Sequence, residues 1–423
     1  MLQPHLIKAH KEQYIQALKK RNIEAGALLD KVLTLDEQRR ATQTQLDEIL
    51  AESNRLSRAI SVLYKKGEAE QAATAKEQSS QLKIQSKGLS EKLIQVSKEL
   101  EELLYTLPNI PHESVPSGKS DQDNEEIFRE GTIPDLSASN LPHWELAKKY
   151  DLIDFELGNK ISGAGFPVYK GKGARLQRAL IAYFLDKNTQ AGYKEYELPL
   201  LVNEASGYGT GQLPDKEGQM YEIPKDNLYL IPTAEVPLTN LYRDQLLEEK
   251  DLPIALTAYT PCFRREAGSY GADVRGLNRL HQFDKVEIVN IVKAENSYGK
   301  LNEMVEHVKV ILRELNLPFR ILRLCGGDLG FTSALTYDFE VYSTSQERWL
   351  EISSVSNFET FQSNRLKLRY RDKENKKHLV HTLNGSSLAL PRVLAGILEN
   401  YQTMDGILIP EVLRPYTGFD KIV

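Results

Sequence analysis

Charged and aromatic residues recur along two neighbouring segments that alternate as β-strands do. The segments are Leu256–Gly268 (LTAYTPCFRREAG) and Leu280–Ile291 (LHQFDKVEIVNI), and a glycine-containing loop joins them. Because side chains two positions apart on a strand share a face, a hairpin of these segments would gather their polar side chains on one surface. The side chains of this surface are Arg264, Glu266, Phe283, Lys285 and Glu287.

A surface of this composition is suited to binding a charged ligand. Buried charges are costly unless they are paired or meet an opposite charge, so carboxylates, cations and an aromatic ring on one face favour a ligand site. A set of structural ion pairs is the alternative. The sequence contains neither a Gly-x-Gly-x-x-Gly fingerprint nor a Walker P-loop, so a nucleotide would have to bind in another way.

The segments around this hairpin predict an α+β fold built on an antiparallel sheet. Helical patterns over residues 173–191 and 297–315 are mixed with strands that follow one another directly. Consecutive strands without intervening helices usually pair antiparallel. This domain is expected to span residues 143–423, after a linker rich in Pro, Ser, Asp and Asn at 108–142.

The first 107 residues predict a helical domain with a long coiled-coil hairpin. Residues 5–107 contain no proline, and apolar residues follow one heptad seam from Leu28 to Leu63 and a second seam over residues 72–107. A short turn at residues 65–67 would fold the two helices into an antiparallel arm about 50 Å long.

The tip of this predicted arm is basic. The net charge of the chain is −5, so a nucleic-acid partner would have to be held by a local patch of this kind. A solvated coiled-coil surface or a dimerisation rod is the alternative interpretation. The candidate nucleic-acid contacts are Arg55, Arg58, Lys65, Lys66, Lys83 and Lys87.

The composition narrows the classes of protein that need considering. The chain has 423 residues, of which 41% are hydrophobic and 27% charged, and no apolar run approaches the ~18 residues that span a bilayer. The N-terminus lacks the apolar stretch of a secretory signal. Cys262 and Cys325 give neither a disulfide framework nor a thiolate zinc site. We therefore expect a cytoplasmic protein with no membrane partner and no zinc.

Several motif-like stretches lie along the second domain. FRREAGSYG at residues 263–271 is followed by HTLNGS at 381–386, which leads to Arg392, and PEVLRPY at 410–416 lies near the C-terminus. Residues 173–199 add a helix, a Gly-Tyr pair and a terminal proline. These stretches resemble motif 2, motif 3, the C-terminal signature and motif 1 of class II aminoacyl-tRNA synthetases in their seryl form. Together with the arm, the resemblance covers nearly the whole chain.

The resemblance implies both a fold and an activity. The fold would be a homodimer of antiparallel-sheet class II catalytic domains, each preceded by a coiled-coil arm that binds tRNA. The activity would be the activation of L-serine by ATP and Mg²⁺ to seryl-adenylate, followed by transfer to the 3′-terminal ribose of tRNA(Ser) and, in many members, of tRNA(Sec). The basic tip of the arm is then expected to contact the tRNA backbone.

For ATP, the resemblance implies three catalytic residues and several further contacts. Arg264 would bind the α-phosphate, Glu266 the adenine amino group, and Arg392 the distal phosphate from the other side of the nucleotide. Phe283 would stack on the adenine ring. The further residues expected at the nucleotide are Arg265, Glu351, Ile352, Ser353 and Ser354.

For magnesium, the resemblance implies Glu351 and Ser354 as ligands. Strict alternation on a strand places Glu351 with Ser353, so Ser354 can join Glu351 only through a β-bulge or at the end of a strand.

For serine, the stretch Thr233-Ala234-Glu235 is similar to the serine-site loop of the family. The resemblance implies that Thr233 and Glu235 bind the α-ammonium group, and that Glu287 and Ser386 bind the side-chain hydroxyl. A site that buries groups shaped to bind a hydroxyl leaves them unpaired with alanine, which can disfavour alanine by about 10⁴-fold.

Three positions depart from the pattern of the family. Ser387 stands where a second glycine of motif 3 is usual, Pro391 where a glycine is common, and Thr336 where a lysine is frequent. Two other functions share parts of the pattern: a catalytically idle relative that binds tRNA, and a ligase that charges a carrier protein with an amino acid. The first is disfavoured because the charged site residues are present, and the second because the arm has its full length.

Overall fold

The computed structural model describes most of the chain, and the described residues form two compact units. The described residues are 1–136, 140–215, 217–267 and 275–423. The first unit comprises residues 1–19 and 23–108, and the second comprises residues 20–22 and 109–423. Within the described ranges, no helix is both long enough and apolar enough to cross a membrane.

The first unit consists of helices. They are α1 (Pro4–Ala9), α2 (Lys11–Lys19), α3 (Gly26–Lys66) and α4 (Ala69–Thr106). Helices α3 and α4 pack along each other as the predicted hairpin, and α3 is about 60 Å long at ~1.5 Å per residue. Gly67 ends α3 with a φ of 80°, a left-handed conformation that glycine adopts without steric cost.

The interface between α3 and α4 follows the predicted seams, with one correction at its start. Leu29 is fully buried, whereas Leu28, the first predicted seam position, is 37% exposed. From Val32 onwards the predicted positions of α3 are buried or half-buried. In α4, the small side chains of Ala72 and Ala75 are buried near the turn. Apolar burial along the two helices therefore stabilises the hairpin.

The second unit mixes strands with shorter helices. Its helices are α5 (His143–Lys149), α6 (Phe155–Ile161), α7 (Gly171–Gln190), α8 (Glu204–Thr210), α9 (Glu235–Asn240), α10 (Ser297–Glu314), α11 (Phe361–Leu366), α12 (Leu390–Asn400) and α13 (Arg414–Thr417). Its strands are β1 (Glu125–Glu130), β2 (Ile153–Asp154), β3 (Val168–Tyr169), β4 (Lys194–Glu195), β5 (Leu201–Asn203), β6 (Glu222–Ile223), β7 (Leu228–Leu230), β8 (Leu246–Glu248), β9 (Ile254–Phe263), β10 (Gln282–Val292), β11 (Phe319–Arg323), β12 (Leu335–Ser343), β13 (Arg348–Asn357), β14 (Arg369–Arg371), β15 (Lys377–Leu379), β16 (His381–Ala389), β17 (Gln402–Thr403), β18 (Gly406–Leu408) and β19 (Lys421–Ile422).

The main sheet has the strand order β1-β11-β12-β13-β16-β10-β9-β4. Its pairs are antiparallel except for the short edge strand β4, which runs parallel to β9. The prediction of an α+β fold on an antiparallel sheet is therefore confirmed. Strands β12, β13, β16 and β10 are neighbours in the centre of this sheet, and they carry Asp338, Glu351, Ser354, Ser386, Phe283 and Glu287.

Helices α7, α10 and α12 contribute to the hydrophobic core of the sheet. In α10 the buried residues recur at three- and four-residue spacing, which places them on one face of the helix. These residues are Leu301, Met304, Val305, Val308, Ile311 and Leu312. Helix α12 is buried over most of its length, so it holds a fixed position against the sheet.

The segment expected to be a linker contributes an edge strand to the main sheet. Within residues 108–142, β1 pairs with β11, and Glu125 lies opposite Arg323. The carboxylate of Glu126 also lies 3.3 Å from the guanidinium of Arg320. Because the strand is held at an exposed edge by charged cross-strand pairs, it lacks the apolar alternation by which strands are usually recognised.

Candidate active site

The predicted hairpin is present, and it forms the centre of the site. Strands β9 and β10 pair antiparallel along their lengths, with Glu287 opposite Ala258. One part of the prediction is wrong. Strand β9 ends at Phe263, so Arg264 and Glu266 do not share a strand face. Glu266 has a φ of 47°, which takes the chain out of the extended conformation.

Arg264 is held beside Phe283 at the end of the hairpin. Its backbone N–H donates to the carbonyl oxygen of His281 (2.9 Å), and its guanidinium carbon lies 5.2 Å from the ring centroid of Phe283. Its Nε also donates to the carbonyl oxygen of Pro232 (3.4 Å). A guanidinium next to an aromatic ring offers a cation for a phosphate and a flat surface for a base, so this pair suits a nucleotide.

The two residues after Arg264 differ in exposure. Arg265 is exposed, and its backbone N–H donates to the carbonyl oxygen of Gln219 (2.9 Å). Glu266 is half-buried, and its carboxylate lies 3.1 Å from Nη1 of Arg279. Residues 268–274, which include the end of the stretch FRREAGSYG, lie outside the described residues.

Arg392 lies at the start of α12 and is fixed by two backbone carbonyl groups. Its Nε donates to the carbonyl oxygen of Asn278 (2.9 Å), and its Nη1 donates to that of Glu351 (2.8 Å). The preceding Pro391 occupies the first turn of the helix, where a missing N–H costs nothing. This departure from the family pattern is therefore compatible with the helix that carries Arg392.

A β-bulge brings Glu351 and Ser354 to the same face of β13. Glu351 lies opposite Glu340 of β12, whereas Ser354 lies opposite Asp338, and the register shifts by one residue between them. Because Glu340 and Asp338 are two positions apart on one strand, their partners share a face. Of the two arrangements that would let Ser354 join Glu351, the β-bulge is the one present, with Ile352 as the extra residue.

Asp338 completes this acidic edge, although no sequence motif singles it out. Its Oδ1 is buried and has no hydrogen-bond partner among the described residues. Burial, together with the negative charge of Glu351, raises the pKa of Asp338 well above its ordinary value, while the hydroxyl of Ser354 opposes that shift. A carboxylate in this state would be stabilised by a cation.

The acidic edge fits a magnesium ion whose remaining ligands are water and the phosphates of a substrate. Among the described residues, no three His, Cys, Asp or Glu side chains form a group that could enclose a metal. Mg²⁺ seldom needs such a cage, because it keeps several waters and is usually held by one or two carboxylates together with substrate phosphates. The orphaned oxygen of Asp338 and the neighbouring Glu351 and Ser354 match that donor set.

A second polar cluster lies further along β10. Glu287 is buried, and its carboxylate lies 2.5 Å from Nζ of Lys285, two residues away on the same face. The hydroxyl of Thr233 donates to Glu287 (3.2 Å), and Ser386 of β16 lies directly opposite Glu287 in the sheet. The structure therefore brings together Thr233, Glu287 and Ser386 as predicted, and Lys285 lies on the face of β10 that alternation gave it.

Glu235 is the other buried carboxylate of this cluster. Burial and the negative charge of Glu287 raise the pKa of Glu235 to about 7. The side-chain amide nitrogen of Gln362 donates to Glu235 (2.6 Å). The amide oxygen of Gln362 accepts a hydrogen bond from the hydroxyl of Thr382 (2.7 Å). Gln362 therefore fixes the orientation of Glu235. No sequence pattern predicts this contact, because Gln362 lies on a separate short helix, α11.

Several predicted residues can contribute only through their backbone or indirectly. Ala234 and Ile352 are fully buried apolar side chains, and Ile352 belongs to the hydrophobic core. The hydroxyl of Ser353 donates to the carbonyl oxygen of Ser386 (2.6 Å) and so fastens β13 to β16.

The side chains at the two remaining departures from the family pattern carry hydroxyl groups that form buried hydrogen bonds. The hydroxyl of Ser387 donates to Oδ1 of Asn188 on α7 (2.7 Å), and the hydroxyl of Thr336 lies 2.9 Å from that of Ser356. Both side chains are thus held in place by hydrogen bonds.

Comparison with known proteins identifies one family for both units. The seryl-tRNA synthetase N-terminal domain matches residues 1–111, and the tRNA synthetase class II core domain (G, H, P, S and T) matches residues 220–401. The serine–tRNA ligase of Salinibacter ruber is 51% identical over 409 residues, covering 96% of this chain and 96% of the relative. The chain belongs to the seryl-tRNA synthetase family. A second relative, the serine–tRNA ligase of Methylacidiphilum infernorum, is 48% identical over 421 residues, covering 98% of this chain and 99% of the relative.

Solved structures agree with this membership of the seryl-tRNA synthetase family. The seryl-tRNA synthetase of Pyrococcus horikoshii, complexed with ATP, matches with a TM-score of 0.91 at 32% identity, covering 100% of this chain and 99% of its own. The cytoplasmic serine–tRNA ligase of Naegleria fowleri, complexed with AMP, matches with a TM-score of 0.86 at 27% identity, covering 100% and 98%. The predicted class II domain with an N-terminal helical arm is confirmed.

The basic residues predicted for the arm of this seryl-tRNA synthetase family member are exposed on α3 and α4. They are Arg55, Arg58, Lys65, Lys66, Lys83 and Lys87. Arg55 forms a bidentate pair with Glu52, with both contacts at 2.7 Å, which offsets part of its charge.

Proposed function

We propose that this chain activates L-serine with ATP to form seryl-adenylate, and then transfers the seryl group to the 3′-terminal ribose of tRNA(Ser). The observation that carries the proposal is the arrangement along β10. Phe283 and Glu287 lie on one face of the strand, four residues apart, which corresponds to about 13 Å. A nucleotide stacked at Phe283 would therefore place its α-phosphate between the ring and the cluster around Glu287.

The cluster around Glu287 supplies what serine requires. Thr233 and Glu235 would bind the α-ammonium group, and Glu287 with Ser386 would bind the side-chain hydroxyl. Lys285 holds the Glu287 carboxylate in place through its ion pair. Alanine has no hydroxyl to donate to the buried Glu287, so serine is favoured over alanine by the hydrogen bond that alanine cannot make.

The first reaction joins a carboxylate oxygen of serine to the α-phosphorus of ATP. The bond between the α-phosphorus and the bridging oxygen breaks, and pyrophosphate leaves with the electron pair. Arg264, beside Phe283, would stabilise the negative charge that develops on the α-phosphate, and Glu266 would accept a hydrogen bond from the adenine amino group. Arg392 would bind the distal phosphate. When bound, Mg²⁺ shields the charge of the pyrophosphate, and Glu351, Ser354 and Asp338 would hold it.

In the second reaction, the terminal ribose hydroxyl of the tRNA attacks the carbonyl carbon of seryl-adenylate, and AMP leaves. We propose that the basic residues of the arm hold the tRNA through its phosphates. Homodimerisation, action in the cytoplasm and charging of tRNA(Sec) belong to the same proposal. Light scattering of the purified protein tests the dimer, and aminoacylation of the tRNA(Sec) transcript tests the second substrate.

Exchange of pyrophosphate into ATP, measured with each standard amino acid in turn, tests the first reaction. We expect exchange with serine alone. Exchange with a different amino acid, or no exchange with serine under conditions in which the protein is folded, would remove the proposal. A chain lacking residues 26–106 separates the two reactions, because it should exchange pyrophosphate with serine but fail to aminoacylate tRNA.

A further inference from the structure

A buried carboxylate ties helix α12 to the turn formed by residues 275–278. The carboxylate belongs to Glu399, which has no exposed surface. Its Oε1 accepts hydrogen bonds from Nδ1 of His143 (2.7 Å) and from the backbone N–H of His143 (3.0 Å). Its Oε2 accepts a short hydrogen bond from the hydroxyl of Ser343. These bonds hold the pKa of Glu399 below its ordinary value, although burial by itself would raise it.

The imidazole of His143 passes this connection on to the turn. Its Nε2 accepts a hydrogen bond from the backbone N–H of Leu277 (2.9 Å). Because Nε2 is the acceptor, the proton of the neutral ring lies on Nδ1 and is donated to Glu399. The fit is tight: a Cβ at Gly276 would lie 2.3 Å from Nε2 of His143, and Gly276 has a φ of 67°. Only glycine both lacks the Cβ that would collide with His143 and adopts this φ without strain.

Gln346 forms a second connection from the same carboxylate to the same turn. Its amide nitrogen donates to Oε1 of Glu399 (3.3 Å), and its amide oxygen accepts a hydrogen bond from the side chain of Asn278 (2.9 Å). The turn is therefore fixed at two consecutive residues, Leu277 and Asn278. The hydroxyl of Ser343, which donates to Glu399, also accepts a hydrogen bond from the amide nitrogen of Gln346 (3.0 Å). Both connections therefore involve Glu399.

The turn formed by residues 275–278 also holds Arg392. The backbone carbonyl oxygen of Asn278 accepts the Nε hydrogen bond of Arg392 (2.9 Å). Arg392 and Glu399 lie seven residues apart on α12, which is about two helical turns and places them on the same face. The helix and the turn thus form a closed ring of contacts: Arg392 binds Asn278, and Glu399 holds Leu277 through His143 and Asn278 through Gln346.

We propose that His143 and Glu399 are positioning residues for Arg392. They fix the carbonyl oxygen of Asn278 so that it takes the Nε hydrogen bond, which, together with the Nη1 bond to the carbonyl oxygen of Glu351, orients the guanidinium for ATP. The inference rests on the proposed function, in which Arg392 binds the distal phosphate of ATP. An arginine that has lost this support samples several rotamers, and ordering it again on binding weakens ATP affinity by about tenfold.

The variant His143→Asn tests the connection. An asparagine amide can replace the Nδ1 donor towards Glu399, but it has no atom at the place of Nε2, so the bond to Leu277 is lost. We expect the dissociation constant for ATP, measured by calorimetry with Mg²⁺, to rise about tenfold, and that for serine to stay the same. Glu399→Gln should act in the same direction.

A packing variant and a double variant separate positioning from general loss of stability. Leu146→Ala removes a fully buried side chain from the same helix as His143, and it should lower the melting temperature without changing ATP affinity selectively. In an Arg392→Ala background, His143→Asn should have no further effect on ATP binding, because its effect acts through Arg392.

Three outcomes of these measurements would overturn the positioning role or the role of Arg392 on which it rests. If His143→Asn weakens ATP and serine binding equally, or weakens ATP binding additively with Arg392→Ala, the positioning role is overturned. If Arg392→Ala weakens ATP binding but His143→Asn does not, only the positioning role fails. If Arg392→Ala itself leaves ATP affinity unchanged, the role of Arg392 in the proposed function fails as well.

Discussion

Serine binding is expected to depend on pH through Glu235. The pKa of this carboxyl group is raised to about 7 by burial and by the neighbouring charge of Glu287. Below that pH, Glu235 is mostly protonated and offers no negative charge to the ammonium group of serine. Above it, the ionised carboxylate is available. Serine affinity should therefore increase as pH rises to about 7 and should level off above that value.

The size of the effect follows from the fraction of Glu235 that is ionised. With a pKa of about 7, roughly one molecule in eleven carries the carboxylate at about pH 6, and roughly ten in eleven carry it at about pH 8. If only the ionised form binds serine, the apparent dissociation constant is the intrinsic constant divided by that fraction. The constant should then be about tenfold larger at pH 6 than at pH 8.

Calorimetric titration of serine into the protein over this pH range is the direct assay, and two variants serve as controls. Glu235→Gln should bind serine weakly and with no pH dependence, because its amide does not ionise. Gln362→Leu removes a donor that stabilises the ionised form of Glu235, so the pH at which affinity levels off should move upwards. A serine dissociation constant that is the same at pH 6 and pH 8 in the unmodified protein would refute this reasoning.

Three other perturbations have expected outcomes. Glu287→Gln should reduce serine-dependent pyrophosphate exchange by at least about 100-fold while the Michaelis constant for ATP changes little, because its carboxylate is placed to meet serine alone; a comparable change in both substrates would count against that placement. Asp338→Asn should raise the magnesium concentration for half-maximal exchange several-fold, and an unchanged magnesium titration would exclude Asp338 from the metal edge. Alanine at both Lys65 and Lys66 should weaken tRNA binding and reduce its salt dependence, with pyrophosphate exchange unaffected as the control; tRNA affinity equal to that of the parent protein would assign the contact to another surface.

Elements that depend on local pattern could be predicted from the sequence. The heptad spacing of α3 and α4, the three- and four-residue spacing of α10, and the alternation of β9 and β10 each arise from which side of an element faces apolar neighbours. The end of β9 could not be predicted in this way. Arg264 and Glu266 continue the alternation in the sequence, but Glu266 takes a left-handed conformation in the folded chain. Strand β1 was missed for a related reason, since charged pairs with β11 stabilise it in place of apolar burial.

The spacing of residues along the chain is enough to predict the elements, the order of the motifs and the chemical types of the residues that would meet ATP and serine. Which of those residues are in contact depends on the folded arrangement of distant segments. Gln362 reaches Glu235 across 127 residues of chain, and His143 reaches Glu399 across 256. The bulge at Ile352 sets Ser354 beside Glu351, although alternation alone would separate them. Such contacts depend on sheet register and on packing between distant segments, and neither is encoded in the spacing of residues within one segment.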